Sequence, residues 1–136
     1  MNISFFLLPK SEVVYVHNEE TVGQALNKLY MRRFQTVPVV DKDGKYVGTI
    51  SAGDFLWNLV EKYNTKMDIM AMVRVEALTK RFNYKSVWID ADIAELDRHI
   101  LDQNFVPVVD DRNVFIGIIT RREIIKALLE EKKKEE

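Results

Sequence analysis

The chain of 136 residues contains no cysteine and only two histidines, His17 and His99. The lack of cysteine excludes disulfides, thiolate metal sites and cysteine nucleophiles. Neither histidine has a second histidine at the spacing of metal ligands, so we expect no metal site. A histidine-supported nucleophile and a phosphate-binding loop of the Gly-x-x-x-x-Gly-Lys type are also missing, which argues against an enzyme.

A charge excess and long apolar runs are lacking as well. The 20 basic and 21 acidic residues leave a net charge of −1, so nothing favours binding to nucleic acid or to an anionic membrane. The apolar run Ile3 to Leu8 is far shorter than the roughly 20 residues that span a membrane, and no basic residues precede it. We therefore expect a cytoplasmic protein in which this run packs on the core.

One short polar segment of the chain occurs twice. Residues 47–54, Val-Gly-Thr-Ile-Ser-Ala-Gly-Asp, correspond to residues 116–123, Ile-Gly-Ile-Ile-Thr-Arg-Arg-Glu, at a step of 69 residues. Pro38 and Pro107 are separated by the same step. We call residues 47–54 the first elbow and residues 116–123 the second elbow. A repeat of this length predicts two copies of one structural unit.

Each copy is expected to form a strand, a helix, two further strands and a second helix. The expected elements are strands 13–16, 36–40, 46–51, 87–89, 105–109 and 114–120, and helices 22–33, 54–63, 93–101 and 123–131. Residues 64–86 are expected to connect the copies through a helix or helical turn. The predicted fold is α+β, similar to an α/β sandwich, with a first repeat and N-terminal segment in 1–66 and a linker helix and second repeat in 67–136. The repeats are expected to pack face to face about a pseudo-twofold axis, with two related clefts between them.

Both elbows have two interpretations. Ser51-x-x-Asp54 and Thr120-x-x-Glu123 have the form of a capping box, which stabilises a helix by about 1 kcal/mol without any ligand. A hydroxyl residue at a helix N-terminus is equally suited to bind an anion, and a carboxylate one turn later can accept the hydroxyls of a ribose. The residues alone leave both interpretations open.

The order of elements, the Pro-Val-Val strands and the duplicated Gly-x-Ile-[Ser/Thr]-x-x-[Asp/Glu] elbow resemble a pair of CBS domains, also called a Bateman module. The resemblance extends from about Val13 to Leu129. The stretch from Tyr84 through Arg122 is similar to small stand-alone bacterial CBS-pair proteins, some of which bind cyclic di-AMP. The resemblance implies a non-catalytic regulatory module that binds AMP, ADP, ATP or cyclic di-AMP in the clefts between repeats and signals to a partner protein. The alternative is a structural dimerisation or scaffold module whose elbows only cap helices.

The resemblance also implies ligand-binding residues. Ser51 matches the hydroxyl on the phosphate side and Asp54 the ribose carboxylate, which we expect to be exposed. In the second elbow Thr120 matches the hydroxyl, whereas Glu123 is one methylene longer than the usual aspartate. The full predicted set is Val13, Val14, Phe34, Gln35, Thr36, Pro38, Ser51, Asp54, Phe105, Thr120, Arg121, Arg122 and Glu123.

The two arginines and the terminal helices carry further expectations. Arg121 and Arg122 offer the fork geometry that binds phosphate, although exposed arginines are as often simply solvated. We expect a homodimer, with a dimer or partner surface on the exposed parts of the terminal helices, around Trp57, Asn58, Lys62, Lys126 and Glu130.

Overall fold

The computed structural model describes residues 1–32, 36–61, 69–78, 80 and 83–135. The chain divides into two compact units, which we describe separately. The first unit is Val14–Asn83 and contains the first elbow, and the second unit combines Met1–Val13 with Tyr84–Glu136 and contains the second elbow. The predicted boundary between the repeats, after residue 66, lies outside the described residues and stays a prediction.

The described residues form strands, α-helices and short 3-10 turns, which confirms the predicted α+β class. The strands are β1 (Leu8–Pro9), β2 (Val16–His17), β3 (Thr36–Val40), β4 (Tyr46–Ser51), β5 (Val87–Trp88), β6 (Phe105–Val109) and β7 (Phe115–Thr120). The α-helices are α1 (Val22–Arg32), α2 (Ala52–Glu61), α3 (Ile69–Met72) and α4 (Arg121–Glu135). The 3-10 turns are Ile3–Phe6, Lys10–Glu12, Val75–Ala77, Ile93–Leu96 and His99–Leu101.

The first unit contains a three-stranded sheet in the order β2-β3-β4. β2 runs parallel to β3, and β4 runs antiparallel to it with Thr36 opposite Ser51. The core side chains are apolar and mostly β-branched, as expected for a short sheet covered by helices. They include Val16, Val22, Val37, Val39, Ile50 and Phe55, each at most 1% exposed.

The second unit contains a four-stranded sheet in the order β1-β7-β6-β5. The pairing of β5, β6 and β7 repeats that of β2, β3 and β4, with Phe105 opposite Thr120. The N-terminal segment adds β1 to the edge at β7, and Ile3 is fully buried in the core of this unit. The expectation that residues 3–8 pack on the core is therefore confirmed.

Two predicted elements are wrong in extent or type. Residues 93–101 form two 3-10 turns instead of one α-helix, and the buried side chains Ile93 and Leu96 lie three residues apart. This spacing places both on one face of a 3-10 turn, so the turn satisfies the core without a full helix. The strand predicted for residues 13–16 begins only at Val16, because the 3-10 turn Lys10–Glu12 precedes it and β2 pairs with β3 only at Val16 and His17.

Candidate functional site

The first elbow forms a complete capping box at the start of α2. The backbone N–H of Ser51 donates to Oδ2 of Asp54 at 2.9 Å, and the N–H of Asp54 donates to Oγ of Ser51 at 3.2 Å. Asp54 is only 3% exposed, so the expectation of an exposed carboxylate is wrong. The two reciprocal bonds fold the carboxylate back over the first turn of the helix, which removes it from solvent.

Further polar side chains surround this carboxylate. Nδ2 of Asn58 donates to the carbonyl of Asp54 at 2.7 Å, and Asn58 is 5% exposed, which contradicts its predicted place on a partner surface. Lys80 also lies near Asp54. Burial lowers the pKa of Lys80 below its ordinary value, and the negative charge of Asp54 acts in the opposite direction. The sequence did not single out Lys80, because its distance along the chain gives no indication of this contact.

The second elbow forms only half of a capping box. The N–H of Glu123 donates to Oγ1 of Thr120 at 3.3 Å. The described residues show no return bond from the Glu123 carboxylate to the backbone of Thr120, and this carboxylate lies 3.9 Å from Nζ of Lys126 instead. The extra methylene of glutamate therefore distinguishes the two elbows structurally, as their sequences indicated.

Arg121 connects the second elbow to the segment that precedes β6. Its backbone N–H donates to the carbonyl of Asn104 at 2.9 Å, and its Nε donates to the carbonyl of Gln103 at 3.1 Å. Arg121 is half-buried, whereas Arg122 is exposed. The bond from Nε fixes the guanidinium beside the N-terminus of α4, where the helix dipole also favours an anion.

Gln103 organises the backbone around this arginine. Its side chain is buried, accepts a bond from the N–H of Lys85 at 2.8 Å, and donates to the carbonyls of Lys85 and Phe105 at 3.1 and 3.2 Å. The ring of Phe105 packs edge-to-face on Tyr84, with centroids 4.9 Å apart. The sequence gave no indication of a role for Gln103, while Tyr84 begins the stretch whose resemblance to CBS-pair proteins was noted.

The structure brings together part of each predicted site. In the first unit Thr36 lies opposite Ser51, Pro38 lies opposite Thr49, and Val14 is half-buried against the core. In the second unit Phe105 lies opposite Thr120, next to Arg121. Val13 belongs to the second unit, and Phe34 and Gln35 lie outside the described residues.

The two elbows differ in the chemistry they offer. The first is a helix cap with an internally bonded carboxylate, whereas the second combines a hydroxyl, a fixed guanidinium and an aromatic pair at the start of a long helix. Guanidinium and helix N-termini bind phosphate, and aromatic rings pack against heterocyclic bases. Within the described ranges, no group of three or more acidic or histidine side chains is placed to hold a metal ion. No helix in the same ranges is long and apolar enough to cross a membrane.

The comparison with known families decides the identity of the repeated unit. The sequence profile of the CBS domain matches residues 7–61 and 75–130, which together contain both elbows. The chain belongs to the CBS domain family. This CBS domain pair is 30% identical to a CBS domain protein from Streptococcus pneumoniae TIGR4 whose crystal structure superimposes with a TM-score of 0.81, covering 92% of this chain and 84% of that one.

Two further relatives of this CBS domain pair differ in what surrounds the repeats. The crystal structure of CbpB in complex with c-di-AMP is 29% identical, covers 100% of this chain and 91% of its own, and has a TM-score of 0.81. Inosine-5'-monophosphate dehydrogenase from Methanocaldococcus jannaschii is 32% identical over 119 residues, which is 85% of this chain but 21% of that enzyme. The chain spans between 21% and 46% of the length of the first three curated relatives that it matches.

Proposed function

We propose that this CBS domain pair is a non-catalytic regulatory module that binds an adenine nucleotide at its second elbow and signals the occupancy to a partner protein in the cytoplasm. The observation that carries the proposal is the bond from Nε of Arg121 to the carbonyl of Gln103, 3.1 Å long, which fixes a guanidinium at the N-terminus of α4. A ligand that prefers one conformation of the module shifts the population toward it, and a partner can respond to that shift.

The phosphate side of the proposed site consists of Thr120, Arg121 and the start of α4. The Thr120 hydroxyl accepts from the N–H of Glu123, so its own hydrogen can donate to a phosphate oxygen. The guanidinium of Arg121 adds a charge-assisted bond, and the dipole of a 15-residue helix has its positive end here. These groups favour an anionic ligand over a neutral nucleoside.

The base side of the proposed site consists of Tyr84 and Phe105. The two rings meet at an interplanar angle of 61°, so they form an aromatic corner on the strand that faces Thr120. A purine can pack on such a surface, because base stacking on aromatic side chains depends little on base identity. The structural likeness to CbpB, which was solved with c-di-AMP, supports cyclic di-AMP alongside AMP, ADP and ATP as ligands.

Ligand-induced stabilisation tests this function. Thermal unfolding is measured with AMP, ADP, ATP, cyclic di-AMP and S-adenosylmethionine at millimolar concentration, with GTP and cyclic di-GMP as controls of matched charge. Binding at 100 times Kd stabilises the folded state by about 2.7 kcal/mol, which gives a rise in melting temperature of several degrees. An adenine ligand should raise the melting temperature more than its guanine counterpart. The absence of a shift with every adenine ligand would overturn the proposal.

A structural dimerisation module is the second candidate, and exposed apolar side chains favour it. Leu56 and Val60 on α2 are 56% and 50% exposed, and Ile125 and Leu129, which are 69 residues further along the chain, are 41% and 57% exposed on α4. Contiguous exposed apolar surface typically marks a contact with another protein. Sedimentation of the double variant Leu56→Glu, Leu129→Glu tests this: a dimer that dissociates without any nucleotide response supports the structural function.

A further inference from the structure

A groove around Trp88 lies on the second unit, apart from the residues of the second elbow. Trp88 stands on the edge strand β5 and is 51% exposed, whereas its neighbour Val87 points toward the core. Two adjoining cavities of about 460 and 440 Å³ share Trp88 in their walls. A large aromatic side chain exposed in a concave surface typically marks a contact with a ligand or partner.

The groove is acidic. Its walls include Asp90, Glu95 and Asp111, and the described residues that line it contain no lysine or arginine. The three carboxylates are exposed, and within the described part of the chain none of them forms an ion pair. The exposed Arg112 in the adjacent turn is the nearest cation along the chain.

His99 lines the same groove without adding positive charge. Its Nδ1 is buried and has no hydrogen-bond partner among the described residues. Burial and the nearby positive charge of Lys85 lower the pKa of His99 below its ordinary value, and Asp97 acts in the opposite direction. The ring is therefore mostly neutral at neutral pH, and the groove keeps its negative charge.

The equivalent surface of the first unit has the opposite character. β2 and β5 pair with β3 and β6 in the same register, which places His17 where the second unit has Trp88. Lys42 lies 69 residues before Asp111, and Lys28 precedes His99 by the same 71 residues that separate His17 from Trp88. Lys28 is paired with Glu20 at 2.6 Å. Because the same fold forms with cations at these positions, the fold itself does not require the acidic, aromatic groove.

We propose that the groove around Trp88 docks a basic peptide segment of a partner protein, with an arginine side chain over the indole ring and its guanidinium among Asp90, Glu95 and Asp111. Arginine fits both components, because its planar cation stacks on an aromatic face while its N–H groups donate to carboxylates. This surface is independent of nucleotide binding and supplies the module with a place at which a partner is recognised.

A synthetic peptide serves as the probe. It alternates glycine with three arginines and is blocked at both ends, and two matched peptides carry lysine or the neutral isostere citrulline in place of arginine. The chain has two tryptophans, so Trp57→Phe leaves Trp88 as the only fluorophore. The arginine peptide should change Trp88 emission in a saturable, salt-sensitive manner, the lysine peptide should bind more weakly, and the citrulline peptide should not bind.

Variants locate the site by calorimetry. Trp88→Ala, and separately the combination Asp90→Asn, Glu95→Gln and Asp111→Asn, should each lower the affinity for the arginine peptide by about tenfold or more. The controls are His17→Ala and Asp43→Asn at the equivalent surface of the first unit, which should leave the affinity unchanged. Thermal unfolding verifies that every variant is folded.

Three results would overturn the proposal. The first is an unchanged affinity in both Trp88→Ala and the triple variant, and the second is no response of Trp88 to the arginine peptide at about 1 mM in low salt. The third is a dimer of the parent protein that Trp88→Ala converts to a monomer, because the groove would then be an interface between two copies of this chain.

Discussion

Arg121 and Arg122 are neighbours with the same charge, but only Arg121 is held in place by the backbone opposite. The carbonyls of Gln103 and Asn104 accept from its Nε and its N–H, at 3.1 and 2.9 Å. A side chain that is already ordered loses less conformational entropy when it binds a phosphate. The two arginines should therefore contribute unequally to nucleotide binding.

We predict that Arg121→Ala weakens the binding of ADP or cyclic di-AMP by about 1.5–3 kcal/mol, the usual contribution of a hydrogen bond to a charged group. Binding of adenosine, which has no phosphate, should change much less. Arg122→Ala is the matched control and should change the affinity for either ligand by less than about threefold, because Arg122 is exposed. Calorimetry measures each affinity, and an equal loss for adenosine and ADP would contradict a phosphate role for Arg121.

Gln103 is important for a different reason, because it holds the backbone that holds Arg121. Its buried amide makes three hydrogen bonds to the backbone of Lys85 and Phe105. Gln103→Leu would leave the N–H and carbonyl of Lys85 without these bonds, and each buried unsatisfied group costs about 1–3 kcal/mol.

We therefore predict that Gln103→Leu lowers the free energy of unfolding by about 2–4 kcal/mol, measured by urea denaturation. Asn27→Leu replaces an exposed amide on α1 and is the control, with an expected change of at most about 0.5 kcal/mol. A Gln103→Leu protein as stable as the parent would show that water replaces the amide without cost.

At the scale of single elements, the starts of α2 and α4 differ in how far their caps are completed. Asp54 returns a bond to the N–H of Ser51, while the carboxylate of Glu123 pairs weakly with Lys126 and its side chain is 41% exposed. Substitution of the two carboxylates by alanine should therefore have different consequences.

We predict that Asp54→Ala destabilises the protein by about 1–2 kcal/mol, since it removes half of a capping box. Glu123→Ala should cost less than about 0.5 kcal/mol, the range of an exposed ion pair. Urea denaturation of both variants gives the comparison. Equal losses would mean that Asp54 is no better bonded than Glu123 in solution.

The elements that follow a simple pattern could be predicted from the sequence. The β-branched runs at β3, β4, β6 and β7 were located to within one residue, and the capping pattern placed both elbows at helix starts. The 3-10 turns at Ile93–Leu96 and His99–Leu101 were not, because apolar spacing of three and four fits both helix types. The burial of Asp54 and the bonds of Gln103 depend on contacts between residues that are distant in sequence, which no local pattern encodes.

At the scale of the whole molecule, the start of the chain belongs to the unit formed by its end. Residues Met1–Val13 join Tyr84–Glu136, and the N–H of Ile3 donates to the carbonyl of Ala91 at 3.2 Å. Ile3 is fully buried with Ile93 and Leu96, whereas Phe5, two residues later, is 78% exposed. The segment thus offers a buried side chain and an exposed one for direct comparison.

We predict that Ile3→Ala lowers the free energy of unfolding of the second unit by about 2–4 kcal/mol, the usual cost of truncating a buried isoleucine. Trp88 belongs to this unit, so its fluorescence in the Trp57→Phe background reports the transition in urea. With a slope of about 1–3 kcal/mol per molar urea, the midpoint should fall by about 1 M or more. Phe5→Ala is the control and should leave the midpoint nearly unchanged. If Ile3→Ala unfolds at the same urea concentration as Phe5→Ala, the N-terminal segment is not part of the core of this unit in solution.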